Sequence, residues 1–191
     1  MPHVRSQTRQ KIISSAARLF YGEGIRAVSM DAVAEAAGFT KKTLYYHFSS
    51  KDDLVAAYLQ SQDEPAIAAY QRWFNGTDGD VGDKVAGMFA GFADTSRKPR
   101  WRGCGFLRTV AELANMPGHP AIKVGRDHKR KFECWLTDAL EAHEVPHASR
   151  VAREVFLLLE GAATVMLFEK DTAYVYAAGS VAKRIVVNSP P

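Results

Sequence analysis

Residues 38–51 read Gly-Phe-Thr-Lys-Lys-Thr-Leu-Tyr-Tyr-His-Phe-Ser-Ser-Lys, and this stretch decides the fold. Gly38 can adopt the positive φ that a tight turn between two packed helices often requires. Thr40 then offers a hydroxyl that can cap the next helix, in which Leu44 and Phe48 lie four residues apart and point into a core. The other side chains are cations, hydroxyls and aromatic rings. We therefore expect a short helix that is held by its neighbours and presents a polar outer face.

Two further helices are predicted before this stretch. Residues 8–21 place apolar side chains on one face and basic residues such as Arg9 on the others. Ser29 can cap a second short helix that ends at Gly38. Two short helices joined by a glycine-containing turn are typical of the helix-turn-helix motif, whose second helix enters the major groove of DNA.

The rest of the chain also predicts helices. Amphipathic periodicity places them at residues 52–75, 81–96, 103–116, 121–143, 148–169 and from Asp171 onward. Pro65 is expected to kink or split the first of these helices. The sequence therefore predicts an all-α fold, with an N-terminal three-helix domain (residues 1–60) and a larger C-terminal helical domain (residues 61–191).

Charge is unevenly distributed along the 191 residues, whose net charge is +4. Lys and Arg exceed Asp and Glu by three in residues 1–60 and by one in the remainder. This excess favours an anionic partner for the N-terminal part, although a solvated basic face would explain the charge nearly as well. No apolar run reaches membrane-spanning length and no signal peptide is recognisable, so we expect a cytoplasmic protein that does not bind membranes.

The block from residue 34 to residue 54 resembles the DNA-binding domain of the TetR family of bacterial transcription regulators. The resemblance extends over about residues 8–60, and residues 43–45, 47–48, Lys51 and Leu54 fall in the register of the family. It implies an all-helical homodimer, usually a repressor that binds palindromic operator DNA and is released by a small-molecule effector. Lys42 departs from the pattern, because the family often has glycine or another small residue there.

Eight side chains of this block are the candidate DNA contacts. Tyr45, His47 and Lys51 are expected to bind phosphate oxygens, and Thr40 can add a hydroxyl or an N–H group at a helix N-terminus. The residues expected to reach base edges are Lys41, Lys42, Thr43 and Tyr46. For Tyr45, packing of the ring against the first helix is an alternative to phosphate binding.

Aromatic and sulfur-containing residues of the C-terminal domain are candidates for an effector cavity, since small-molecule sites have mostly apolar walls. The candidates are Tyr70, Trp73, Phe74, Met88, Phe89, Phe92, Phe106, Trp135, Phe156 and Met166. At helical spacing, any one of them is also explained as an ordinary core residue.

The last two helices carry broad apolar stripes that suit a four-helix interface around a twofold axis. The residues assigned to this interface are Val155, Leu159, Ala162, Met166, Ala178, Val181 and Ile185. A monomer core would produce the same periodicity, and the family resemblance favours the dimer.

Signatures of catalysis and of metal binding are missing from the sequence. Residues 22–27 match GxGxxA, but a helix precedes them where a dinucleotide-binding fold needs a strand. His143 and His147 are four residues apart, but Pro146 breaks the helix that would align them. Cys104 fits a buried structural thiol better than a redox sensor. We therefore expect no enzymatic activity, no cofactor and no metal.

Two rival functions remain open from the sequence alone. The C-terminal domain could be a ligand-binding protein or an enzyme without sequence-specific DNA binding, in which the N-terminal domain is only a scaffold. Alternatively, the regulator could respond to a protein partner, which would require an exposed apolar patch in place of a closed cavity.

Overall fold

The computed structural model describes residues 2–189, and within them the chain forms nine α-helices and no strand. The helices are α1 (Pro2–Glu23), α2 (Met30–Ala37), α3 (Lys41–His47), α4 (Lys51–Asn75), α5 (Val81–Ser96), α6 (Gly105–Glu112), α7 (Pro120–Glu141), α8 (Ala148–Val165) and α9 (Ala173–Val187). The predicted all-α fold is confirmed. None of the helices in this described part of the chain is long and apolar enough to cross a membrane.

The chain divides into two compact units. The first contains the residues up to Glu64 together with Cys104–Asp127, and the second contains Pro65–Gly103 and the residues from His128 onward. The change of unit at residues 64 and 65 lies close to the boundary predicted near Ser61. The first unit also includes α6 and the first turns of α7, which come from the segment assigned to the C-terminal domain by the sequence.

The core of the first unit consists of one stripe of α1 and the inward faces of the following helices. Ile12, Ala16 and Phe20 of α1 are buried, as are Val33 of α2 and Leu44 of α3. Because α3 has only seven residues, it cannot be stable alone, and this buried contact holds it in place.

Helix α4 continues through Pro65, so of the predicted kink or split, the split does not occur. Pro65 is exposed. Water can therefore replace the hydrogen bond that the missing N–H group would have made, and the helix continues on the apolar contacts of its other residues.

Two later helices end sooner than their apolar patterns predict. α6 ends at Glu112, and tighter turns follow it. In one of them Met116 N–H donates a 2.8 Å hydrogen bond to the Leu113 carbonyl. α8 ends at Val165, and Lys170 then has a φ of +54°. Apolar residues beyond both ends continue the helical periodicity, and the predicted helices are therefore too long.

The second unit is held by broad apolar faces of α5, α7, α8 and α9. Phe89 of α5 and Leu136 of α7 lie at its centre and are fully buried. A Cβ atom on Gly179 would lie 2.8 Å from the Phe89 Cβ atom, so α9 approaches α5 at a distance that only glycine permits. Beside this contact, Lys183 Nζ of α9 lies 2.5 Å from Asp83 Oδ1 of α5.

Candidate nucleic-acid interface

The turn between α2 and α3 is built by residues that satisfy the free backbone groups at helix ends. Ser29 Oγ accepts a 3.1 Å hydrogen bond from Ala32 N–H at the start of α2. Gly38 follows α2 with a φ of +72°. Thr40 Oγ1 accepts a 3.2 Å hydrogen bond from Thr43 N–H at the start of α3. The predicted caps and the predicted glycine turn are confirmed.

Helix α3 is fixed on its inner side and open on its outer side. Leu44 is buried, and so is Phe48, the residue that follows the helix, as predicted. Tyr46 is 64% exposed and Tyr45 is 46% exposed. Neither tyrosine is buried in the core, so both remain candidates for contact with DNA.

The remaining candidates of α3 differ in how free they are. Lys41 and Lys42 are exposed, whereas Thr43 and His47 are half-buried. Lys41 Nζ lies 2.9 Å from Asp31 Oδ1, and this pairing raises the pKa of Lys41. Asp31 would therefore compete with DNA for the ammonium group of Lys41.

Lys51 differs from the free phosphate-binding cation that the sequence suggests. The side chain is half-buried, and burial lowers the pKa of its amine although the carboxylates of Glu112 and Asp52 raise it. Lys51 follows Ser50, whose Oγ accepts a 3.1 Å hydrogen bond from Asp53 N–H and caps α4 as predicted.

Two arginines of α1 extend the basic surface, and sequence reasoning missed them. The guanidinium carbon of Arg5 lies 4.9 Å from the centre of the Tyr46 ring. The same atom of Arg9 lies 4.9 Å from the centre of the Phe48 ring. Both distances suit a cation–π contact. Arg9 thus faces Phe48, the residue after α3, although our sequence analysis assigned it to a face away from the apolar stripe.

The charges of these two arginines also affect the half-buried imidazole of His47. Burial lowers the pKa of His47 first, and the positive charges of Arg5 and Arg9 lower it further. A depressed pKa favours the neutral imidazole, which can donate a single N–H hydrogen bond. A usable sequence signal existed: Arg5 and Arg9 continue, at spacings of four, the buried stripe that contains Ile13.

Nine of the ten candidate effector residues lie in the second unit, and Phe106 lies in the first. Several of them form a continuous set of ring contacts with Phe132, which lies 5.0 Å from Tyr70, 5.6 Å from Trp135 and 6.1 Å from Phe156 between ring centres. Trp73 contacts Tyr70 and Phe74 contacts Trp135 at 5.0 and 5.9 Å. The other four candidates, all of them buried, are Met88, Phe89, Phe92 and Met166.

The residues assigned to a dimer interface lie mostly inside the protomer. Four of them, Val155, Leu159, Ala162 and Met166, are buried in the core of the second unit. The other three, Ala178, Val181 and Ile185, are half-buried. The large apolar side chains that α8, α9 and the adjoining turns leave open are different ones, namely Leu157, Phe168, Tyr174, Tyr176 and Val187.

The cysteines and the acidic residues do not gather into a metal site in the part of the chain that the structure describes. Cys104 is half-buried, in place of the expected fully buried thiol, and Cys134 is exposed. Among the same residues, His, Cys, Asp and Glu form no group of three that could hold a metal ion.

Comparison with known proteins agrees with this geometry. Residues 12–58 match the family model described as bacterial regulatory proteins, tetR family. The HTH-type transcriptional regulator TtgR of Pseudomonas putida is 41% identical over 58 residues, which are 30% of this chain and 28% of that protein. AcrR of Shigella flexneri, another HTH-type transcriptional regulator, is 44% identical over 48 residues, 25% of this chain and 22% of the relative. The match thus spans less than a third of either curated relative.

A solved structure matches nearly the whole chain. SCO4454, a TetR-family transcriptional regulator from Streptomyces coelicolor, superposes with a TM-score of 0.81 at 30% identity, over 95% of this chain and 96% of that one. The reduced form of E. coli NemR has a TM-score of 0.84 at 17% identity, over 96% of this chain and 98% of the NemR chain, which shows a shared fold. This helix-turn-helix chain is a transcriptional regulator rather than an enzyme, and it belongs to the TetR family.

Proposed function

We propose that this chain is a ligand-responsive repressor that binds a palindromic operator as a homodimer and leaves it when a small-molecule effector binds. One observation carries the proposal: α3 holds two largely exposed tyrosines and two exposed lysines on a helix anchored from behind by the buried Leu44. Such a face offers donors and cations to DNA at low entropic cost, because the helix is already fixed.

The geometry supports different roles for the side chains of this face. Lys42 and Tyr46 are exposed and lie four positions apart on α3, so they suit contacts with base edges in the major groove. Tyr45 and His47 suit phosphate oxygens, with the neutral imidazole as an N–H donor. Thr43 is less available, since its hydroxyl lies 3.0 Å from the capping Thr40 Oγ1 atom.

Exposed residues of α8 support the homodimer better than the residues chosen from the sequence. Leu157 is 63% exposed. Gly161 and Thr164 follow it on the same face at spacings of four and three, and a Cβ atom on Gly161 would meet open space. A face with a large apolar residue and an uncovered glycine suits close approach of a second copy. In a dimer bound to DNA, the two α3 helices would lie about 34–36 Å apart, one turn of B-DNA.

The ring contacts around Phe132 support an apolar, aromatic effector. Trp73 lies against α5 at Gly91, where any larger residue would collide with the indole ring. An effector that inserts between these rings would replace ring contacts with similar ones, which suits an apolar binding site. Replacing Trp73 with alanine should weaken the response to effector and leave DNA binding without effector intact.

A gel-shift experiment with the DNA that flanks its own gene tests the proposal, with and without candidate metabolites. We expect a shifted band on a palindromic segment, competition by that segment but not by random DNA, and release by at least one apolar metabolite. If the chain shows no preference over random DNA of equal length, the proposed repressor function is wrong.

A further inference from the structure

Glu112, the last residue of α6, contacts the turn between α1 and α2. Ile25 N–H donates a 2.9 Å hydrogen bond to Glu112 Oε2, and Arg26 N–H donates a 2.5 Å hydrogen bond to Glu112 Oε1. One carboxylate therefore binds two successive backbone N–H groups that are more than 80 positions away in the sequence. Hydrogen bonds to an ionised acceptor are stronger than neutral ones.

The turn has the shape that this carboxylate requires. Gly24 has a φ of +95°, which side-chain-bearing residues rarely adopt. Its own N–H donates to the carbonyl of Phe20 at 3.0 Å and ends α1. The next two N–H groups then lie outside α1 and have Glu112 as their acceptor.

Further contacts join the same chain segment to both ends of the helix-turn-helix motif. Arg108 Nη1 of α6 donates to the Tyr21 carbonyl at 2.8 Å, and Arg26 Nη2 donates to Asn115 Oδ1 at 2.8 Å. On the far side of the motif, the buried His119 lies with Nε2 at 3.2 Å from Asp52 Oδ1 in the first turn of α4. Residues 108–119 therefore contact the chain both before α2 and after α3.

The turn leads within a few residues to α2 and then to the proposed DNA-binding helix. Val28 is buried directly after the turn, and Ser29 caps α2. α2 passes through the Gly38 turn into α3, whose only buried residue within the helix is Leu44. A change in the position of the turn would therefore move α2 and, through the Gly38 turn, α3.

We propose that Glu112 is a positioning residue for DNA binding: from α6 it fixes the α1–α2 turn, and thereby the orientation of α3. This inference rests on the proposed function, since it concerns the same DNA-binding surface.

Positioning and simple electrostatics predict opposite effects when the charge of Glu112 is removed. A carboxylate near a polyanion repels it, so the loss of the charge alone would strengthen DNA binding. Glu112 is also close enough to Lys51 to raise the pKa of that amine. The positioning role predicts weaker binding, because glutamine puts an NH2 donor in place of one of the two oxygens that accept from Ile25 and Arg26, and that donor faces another N–H donor.

The experiment compares Glu112→Gln with Glu23→Gln, an exposed carboxylate of the same unit at the end of α1. The operator is the sequence that the wild-type protein selects from random DNA, and affinity is measured by fluorescence anisotropy over a range of salt concentrations. We expect Glu112→Gln to weaken operator binding about 10-fold, within the range typical of coupled sites, with an unchanged salt slope because no phosphate contact is lost. Glu23→Gln should bind like the wild type. Glu112→Asp, which keeps the charge but is shorter, should also bind more weakly.

Equal or tighter binding by Glu112→Gln overturns the inference, and so does a reduced salt slope, which would indicate a lost phosphate contact. Hydrogen exchange of the wild-type protein gives a test that needs no variant. Operator binding should slow amide exchange in α6 (residues 105–112), which lies outside the proposed contact surface, and unchanged exchange there would also overturn it. If the wild type selects no sequence, the proposed function itself fails, which distinguishes the two outcomes.

Discussion

The two units hold their helices together in different ways. Ser29, Thr40 and Ser50 cap helix starts in the first unit, as Asp80 does in the second, but in the first unit Glu112 also joins α6 to the α1–α2 turn through two backbone N–H groups. In the second unit, α5, α8 and α9 join along apolar faces, and Gly179 brings two backbones together. Hydrogen bonds are directional, whereas apolar burial is not. The orientation of the short α3 helix therefore depends on a few polar atoms, while the second unit can rearrange its side chains and keep its fold.

The largest expected effect comes from removing equal apolar volume from each unit. Leu44 and Leu136 are both fully buried, Leu44 in α3 and Leu136 in the core of the second unit. Replacing either with alanine should lower the free energy of unfolding by about 2–5 kcal/mol, measured by urea denaturation with circular dichroism.

DNA binding should separate the two variants. Under conditions in which both remain folded, Leu44→Ala should lose operator binding, because α3 has no other buried residue within its helix. Leu136→Ala should keep nearly wild-type affinity. Similar affinities for the two variants would contradict the view that the first unit depends on the fixed position of α3.

The next effect concerns sequence preference. Lys42 is exposed on α3, and Lys98 is exposed in the second unit, in the basic stretch of residues 97–102. Lys42→Ala should change the preference at one base position of each half-site by about 1–3 kcal/mol, measured by binding-site selection. Lys98→Ala should select the same DNA sequence as the wild-type protein. A changed preference for Lys98→Ala alone would move the base-reading surface to the second unit.

Local features of the first unit could be predicted because they depend on residues close together in the sequence. A serine or threonine accepts a hydrogen bond from an N–H group two or three positions later, so Ser29, Thr40 and Ser50 identify their helix starts without tertiary information. Gly38 identifies a left-handed turn for the same reason. The spacing of Leu44 and Phe48 gives the buried side of α3.

Contacts between distant segments could not be predicted in this way. Nothing near Glu112 in the sequence indicates a partner at Ile25, and the cation–π contact of Arg5 with Tyr46 depends on where α1 begins. The interface residues show a second limit: a stripe buried inside one protomer and a stripe buried between two have the same periodicity. Hence the pattern assigns Val155 to the dimer although it lies in the core, and it gives no reason to choose the exposed Leu157.

A smaller effect is expected where α1 meets α3. Arg5→Gln should reduce the slope of log affinity against log salt concentration by about 0.9, if Arg5 neutralises one phosphate. The pKa of His47 should rise in this variant, because one of the positive charges that lower it is removed. Fluorescence anisotropy gives the slope, and an NMR titration of the imidazole gives the pKa.

Arg18→Gln is the matched control, since Arg18 is exposed on the opposite side of the same helix. It should leave both the salt slope and the titration of His47 unchanged. Equal slopes for Arg5→Gln and the wild type would remove Arg5 from the DNA-binding surface.

The smallest effect tests whether the second unit has a polar contact comparable to those of the first. The Asp83–Lys183 pair joins α5 to α9, and the hydrogen bond between the two side chains lowers the pKa of Asp83 and raises the pKa of Lys183. Asp83 therefore contributes stability above its unfolded pKa of about 3.9, and the contribution is lost as the pH falls through its lower folded value. Lys183 contributes below its unfolded pKa of about 10.4, and the contribution is lost as the pH rises through its higher folded value.

Asp83→Asn should therefore be slightly less stable than the wild type at neutral pH, with a difference that shrinks as the pH falls below about 3.9 and as it rises above about 10.4. The difference should also shrink in high salt, since both side chains are more than one-third exposed. Asp94→Asn, which removes a pair within one turn of chain, is the control and should change stability less because no second helix is joined. A difference for Asp83→Asn that disappears in acid but persists in base, after Lys183 has lost its charge, would show that Asp83 acts through the cap of α5, where its carboxylate also accepts from Asp80 N–H.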